Sequence, residues 1–206
     1  MMTAESPRPA SVKGGDKPLR FHWRLPYAGE GFGISRADQL TAAAIGLPDP
    51  KVQAYFCRKA EESGIDSLLL YFGFAKPDPI LLAATLGQET QKIKFIIAYR
   101  SGLFAPTMFV QQLNTLSALI QGRLLLNIVA GYSPEEQRAY GDFLSHDERY
   151  ERTDEFLAIC HALWSQNGEV NFNGKYYQIE KGCLLVVIRM DTCARFNSAY
   201  IVYETK

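Results

Sequence analysis

The sequence predicts an α/β fold in which parallel strands alternate with covering helices, and three observations predict it. Three short apolar runs, behind a first short strand, have strand length and little polar alternation, the mark of strands buried on both faces. Segments of helical period follow them, each opened or closed by recognisable cap residues. The strand-to-strand spacing leaves room for the right-handed crossovers that parallel neighbours require.

The elements follow in order. Residues 1–19 combine Pro, Gly, Ser and charge without apolar periodicity and are expected to form a disordered tail. Phe21 to Leu25 reads as a first strand, and the glycine-rich stretch Tyr27 to Gly33 opens a loop running to Pro48. Asp49 and Pro50 then start a helix over about 50–63, striped by Val52, Tyr55, Phe56 and Ala60 and stopped by Gly64. Ser67 to Phe72 is the second strand. Asp78 and Pro79 open a second helix that ends near Gly87, and Lys94 to Arg100 is the third strand. Met108, Phe109, Leu113, Leu116 and Ile120 stripe a third helix closed by Gly122, and Arg123 to Val129 is the fourth strand. Ser145 with Glu148 is a capping-box signature for a long helix whose inner stripe is Phe156, Leu157, Cys160, His161 and Trp164. Its acidic outer positions are expected to face water. The rhythm then changes, because Glu169 to Ile179 reads as two short strands around Asn173-Gly174, a hairpin inserted after the fourth unit. Leu184 to Ile188 has the character of one more strand, but residues 183–206 show no matching helix.

Composition narrows the function classes. The 206 residues carry 22 basic and 22 acidic side chains with no polybasic run, so the electrostatic footprint of a nucleic-acid partner is absent. No stretch approaches the ~20 apolar residues that span a bilayer, and the first twenty residues lack the apolar segment of a secretory signal. The chain therefore reads as cytoplasmic. Cysteines 57, 160, 183 and 193 form no CxxC pair, and His22, His146 and His161 complete no zinc set, so neither a disulfide framework nor a metal site is expected.

In parallel α/β folds ligands lie beyond the carboxyl ends of the strands. Those ends here are Leu25-Pro26-Tyr27, Phe72-Gly73-Phe74, Ala98-Tyr99-Arg100 and Asn127 to Gly131, a mouth of aromatics, one guanidinium, one amide and glycines. Arg100 at a buried strand end needs an anion, either a structural carboxylate or a ligand group. Asn127 buries an amide, which hydrogen-bonds either neighbouring backbone or a cofactor edge. The GEGFG run at 29–33 is not followed directly by a helix and fails the context of a dinucleotide fingerprint.

The ordered series KVQAYFCRKAEESGIDSLLL, KFIIAYRSG, APTMFVQQLNTLSALIQGRLLLNIVAG, SHDERYERTDEFLAICHALW and NFNGKYY closely resembles bacterial luciferase-like flavin-dependent monooxygenases, alkanesulfonate-monooxygenase types in particular, from about Phe21 to Gly182. The resemblance implies a TIM (β/α)8-barrel family fold, here about its first four βα units over residues 20–182 plus the hairpin insertion. It implies reduced FMN as cofactor, reacting with O2 to oxidise a small organic substrate, a flavin reductase as supplier of the reduced flavin, and a possible homodimer. By the same resemblance Phe72, Gly73, Asn127 and Tyr150 would bind the flavin, and Arg100 would be the catalytic residue facing an anionic substrate group, with Tyr71 also at the mouth. Two departures count against sulfonate itself: Lys76 stands where those enzymes have cysteine, and Ala28 where they tend to have histidine. The family's later strands, its catalytic histidine and its phosphate-binding loop have no counterpart in the sequence. A TIM barrel takes about 250 residues, and four units leave two open sheet edges, which soluble proteins normally cover or pair. A catalytically silent barrel fragment that pairs with another subunit is therefore an alternative expectation, and a deazaflavin-dependent hydride transfer is another.

Overall fold

The computed structural model describes residues 19–26, 49–73, 76–165 and 168–184. The expected tail over 1–19, the glycine-rich loop, Ala28 and the strand proposed over 184–188 lie wholly or largely outside them. The parallel sheet is as expected: β1 (His22–Arg24), β2 (Ser67–Tyr71), β3 (Lys94–Arg100) and β4 (Leu124–Val129) lie side by side in sequence order, every pair parallel. Between them run α1 (Pro50–Glu62), α2 (Pro79–Gln88) and α3 (Pro106–Leu119). Each of these helices starts with proline in its first turn, where the missing N–H costs nothing. Asp49 and Asp78 cap α1 and α2 through their carboxylates, donated to by Lys51 N–H and by Ile80 and Leu81 N–H.

Burial alternates along the strands. Leu68, Leu70, Phe95, Ile97 and Tyr99 are fully buried under the helices, and register sets Leu124, Leu126 and Ile128 on the same face. Tyr99 is the centre of this side, its ring 4.0 Å from that of Phe109 and 5.7 Å from that of Phe156. Burying each such ring contributes about 1.5–3 kcal/mol. The opposite face is only half-buried: Leu69, Ile96 and Leu125 form one row across it, and Tyr71, Ala98 and Asn127 the next. The sequence expectation of strands buried on both faces is corrected here. The apolar runs reflect one face buried under helices and one face that is only half-buried.

α5 (His146–Ser165) packs along α3 and carries the expected capping box: Ser145 Oγ accepts from Glu148 N–H at 3.3 Å, and Glu148 accepts from Ser145 N–H at 2.9 Å. Its buried stripe is Thr153, Phe156, Ile159, Cys160 and Leu163, whereas His161 is exposed, so the predicted stripe is rotated by a fraction of a turn. The acidic positions also do more than face water. Glu155 accepts the backbone N–H groups of Lys175, Tyr176 and Tyr177, and Glu151 takes Lys175 Nζ and Tyr176 OH. These bonds seat the hairpin of β5 (Val170–Asn173) and β6 (Gln178–Gly182). The hairpin is present, but Asn173 pairs with Gln178 and residues 174–177 make the connection, so Asn-Gly is not a two-residue turn.

At the amino ends of the strands, Arg123 donates to the carbonyls of Gly87, Ile93 and Ile120 and to Thr90 Oγ1. That fastens the loops at the end of the sheet opposite the mouth, the end that serves stability in such folds.

Candidate active site

The chain reverses after β3 in a turn that holds Arg100 in place. Gly102 has φ of 96°, a conformation glycine adopts without strain, and an added Cβ would meet the Arg152 guanidinium. Arg152 donates from α5 to Ser101 O at 3.0 Å and to Asp142 at 2.6 Å. Burial alone would raise the Asp142 carboxyl, but the hydrogen bond and charge of Arg152 outweigh it and hold it below its ordinary value. Tyr99 OH accepts from Phe104 N–H at 2.8 Å, which ties the next stretch of the turn to the core.

Arg100 itself is 7% exposed. A short helix, α4 (Pro134–Ala139), lies above it where no helix is expected from the sequence. Ser133 caps α4 by accepting from Glu136 N–H, and the Ser133-Pro134-Glu135-Glu136 run is the signal that announces it. α4 and its C-cap residue deliver three side chains missing from the sequence reading. Glu136 Oε2 accepts from Arg100 Nη1 at 3.5 Å. Tyr140 lies over the guanidinium, 4.7 Å from ring centroid to Cζ. Burial, with the Glu136 charge behind it, raises the Tyr140 phenol, so this ring stays neutral through physiological pH. Gln137 is 1% exposed, and neither of its amide atoms has a hydrogen-bond partner among the described residues. Arg100 Nη2 is in the same condition.

Two glycines make this packing possible. Gly131 has φ of 95°, and a Cβ there would run into Gln137 Nε2 and come within 2.8 Å of Arg100 Cδ. A Cβ on Gly73 would stand 3.3 Å from Glu136 Oε1 and 3.2 Å from Lys76 Cγ. The structure thus gathers Gly73, Arg100 and α4 into one cluster. Beside it on the half-buried face, Tyr71 carries Lys76 Nζ at 5.0 Å from its ring centroid and Arg24 at 6.0 Å. Asn127 shares the Tyr71 row, and its Oδ1 is buried without a partner among the described residues.

The other two residues lie elsewhere. The Phe72 ring, half-buried, packs edge-on against Tyr99, 5.5 Å between centroids, at the margin of the helix-side core. Tyr150 sits in the opening turns of α5, half-buried, with its ring 4.8 Å from that of His146. No hydrogen bond or ring contact joins it to Arg100 or Asn127 among the described residues.

This is a parallel sheet with its polar groups collected at the carboxyl ends of β2, β3 and β4, and the family model for luciferase-like monooxygenases matches residues 30–189. The chain belongs to that family. Solved structures of luciferase-like enzymes share its fold. An EDTA monooxygenase from Chelativorans sp. BNC1 is 22% identical, with a TM-score of 0.65 over 79% of this chain and 45% of that one. The oxygenating constituent of 3,6-diketocamphane monooxygenase from a Pseudomonas putida plasmid, a type II Baeyer-Villiger monooxygenase solved with FMN, is 23% identical, with a TM-score of 0.60 over 78% of this chain and 42% of that one. An F420-dependent secondary alcohol dehydrogenase is 21% identical, with a TM-score of 0.61 over 68% and 46%. The luciferase-like chain described here spans less than half the length of these three. No described helix is long and apolar enough to cross a membrane.

Proposed function

We propose that this chain supplies the flavin-binding strands of a monooxygenase that uses reduced FMN and O2 to oxidise a small organic substrate, with a flavin reductase delivering the reduced cofactor. The observation that carries the reading is the buried, unpartnered Asn127 Oδ1 on the open face of the sheet. A buried acceptor of this kind costs about 1–3 kcal/mol until something donates to it, and a reduced isoalloxazine presents N–H groups along its edge. The residues fit such a ring: Asn127 would accept from it, Tyr71 would bound it in the same row, and Gly73 and the Phe72 backbone would allow close approach. When bound, the flavin supplies the redox chemistry with oxygen, and the protein orients the ring and keeps water away from it. Arg100 would hold an anionic group of the substrate, since its guanidinium has donor capacity left over.

The test is oxygen uptake with NADH, a flavin reductase and FMN, together with FMN fluorescence titration of the wild type and Asn127→Leu. The reading expects saturable quenching that weakens at least about tenfold in Asn127→Leu, the loss of one buried hydrogen bond to the ring. No quenching, with no substrate-dependent uptake above the reductase background, leaves the silent-fragment alternative standing. The F420-dependent neighbour keeps a second cofactor in view. Saturable binding of a deazaflavin in place of FMN would turn the reading to hydride transfer.

A further inference from the structure

We propose that the outer faces of α2 and α3 together form the surface on which two copies of this chain associate, leaving the mouth of each copy open. The surface lies on the helix-covered side of the sheet and does not rest on the flavin reading. Three observations carry it. Neither helix contains an Asp, Glu, Lys or Arg, although α1 on one flank carries five such residues and α5 on the other carries seven. Their outward positions hold large apolar side chains: Leu81 is 70% exposed, Leu119 51% and Met108 47%. The threonines in the same stripes direct their hydroxyls to their own helices, Thr85 Oγ1 donating to Leu81 O and Thr115 Oγ1 to Gln111 O.

A helix that is apolar on every side belongs in an interior or an interface. α2 and α3 pack side by side, and Gln88 Nε2 reaches across to donate to Leu119 O at 2.7 Å, so the two outer stripes make one face. Helices of 10 and 14 residues lying about 10 Å apart outline roughly 300–400 Å2, the size at which an apolar patch marks an interaction site. Charge selects the occupant. A charged partner would give up the hydration of its ions with nothing on this face to pair them, whereas a second copy brings a face equally free of charge. The chain carries 22 basic and 22 acidic residues, so two copies approach without net repulsion. Across a two-fold axis each side chain meets its equivalent or a near neighbour. Leu, Met and Thr accept that arrangement, and Gln111 has donor and acceptor on one amide, so it can bond to its own mate. Charge returns at the rim, where Glu89 pairs with Arg58 at 2.9 Å, the polar border expected around an apolar centre.

The experiment is sedimentation velocity of the full chain over about a hundredfold range of micromolar concentrations. It compares the wild type with Leu81→Lys/Leu119→Lys and with Val52→Lys/Tyr55→Lys, a control that puts the same charges on exposed apolar positions of α1. The wild type and the α1 control should sediment as dimers at the upper end of the range, and the α2–α3 variant as a monomer throughout with wild-type far-UV circular dichroism. If that variant does not fold, oxidative footprinting of the wild type serves: Met108 should react severalfold more slowly at the upper concentration than at the lower, with the exposed Tyr132 unchanged. The proposal is overturned by a wild type that stays monomeric, by an α2–α3 variant that stays dimeric, by an α1 control that loses the dimer, or by Met108 reactivity independent of concentration. FMN quenching measured in parallel should be equal in the wild type and the α2–α3 variant. Absence of quenching in both removes the flavin reading and leaves the dimer standing, and quenching by a strictly monomeric wild type does the reverse.

Discussion

Arg152 shows how one side chain on a distant helix sets the chemistry of a strand end. It spans from α5 to the Ser101 carbonyl and the Asp142 carboxylate, both ends of the pair nearly buried. Asp142 is held below its ordinary carboxyl value, so its contribution to stability is present above the unfolded-state value and lost as pH falls through the lower folded one. Asp142→Asn should therefore cost about 1.5–3 kcal/mol near neutral pH and shrink the wild type's advantage as the pH falls below about 4. Urea midpoints of the two proteins measured from pH 7 down to 2.5 check this. A constant difference across that range would mean that the ionised carboxylate has no special role. At the same scale Arg100 and Asn127 could be singled out from the sequence because each puts a polar group at the end of an apolar strand. Their partners could not be: nothing local in the sequence says that Glu136 reaches Arg100 across 36 residues or that Gln137 is sealed beneath Gly131.

Among the elements, helices with strong punctuation were the most legible. Asp-Pro starts and glycine stops placed α1 and α2 to within a residue or two, and the Ser145–Glu148 box placed the start of α5, because caps are local chemistry. α4 escaped because its few residues give no apolar period to detect. The face of α5 was misjudged at His161 for a related reason: a helix contacted by α3 on one side and by the hairpin on another has more than one buried direction. Glu155 is the hinge of that second contact. Replacing it by alanine strands the N–H groups of Lys175, Tyr176 and Tyr177, and should loosen the hairpin while sparing the sheet. Hydrogen exchange should show amides 175–177 losing protection by at least about tenfold, near 1.4 kcal/mol, with β3 unchanged. Equal loss in both regions would show that hairpin and sheet form one cooperative unit.

For the molecule as a whole, the order of strands was readable because parallel neighbours joined by right-handed crossovers leave few alternatives. The two-sidedness of the sheet was not, since an apolar run looks the same whether one or both faces are covered. That distinction matters most for function. The helix-covered face stores stability in Tyr99, Phe109 and Phe156, while the other face presents Tyr71, Ala98 and Asn127 in one row beside the Arg100 cluster. The account stands on that second face being where the flavin lies. A crystal structure of the chain with FMN tests it most directly: the account predicts the isoalloxazine edge within hydrogen-bonding distance of Asn127 Oδ1 at the carboxyl ends of β2 to β4. A ring bound at the helix-covered side, or at the amino ends of the strands near Arg123, would contradict it.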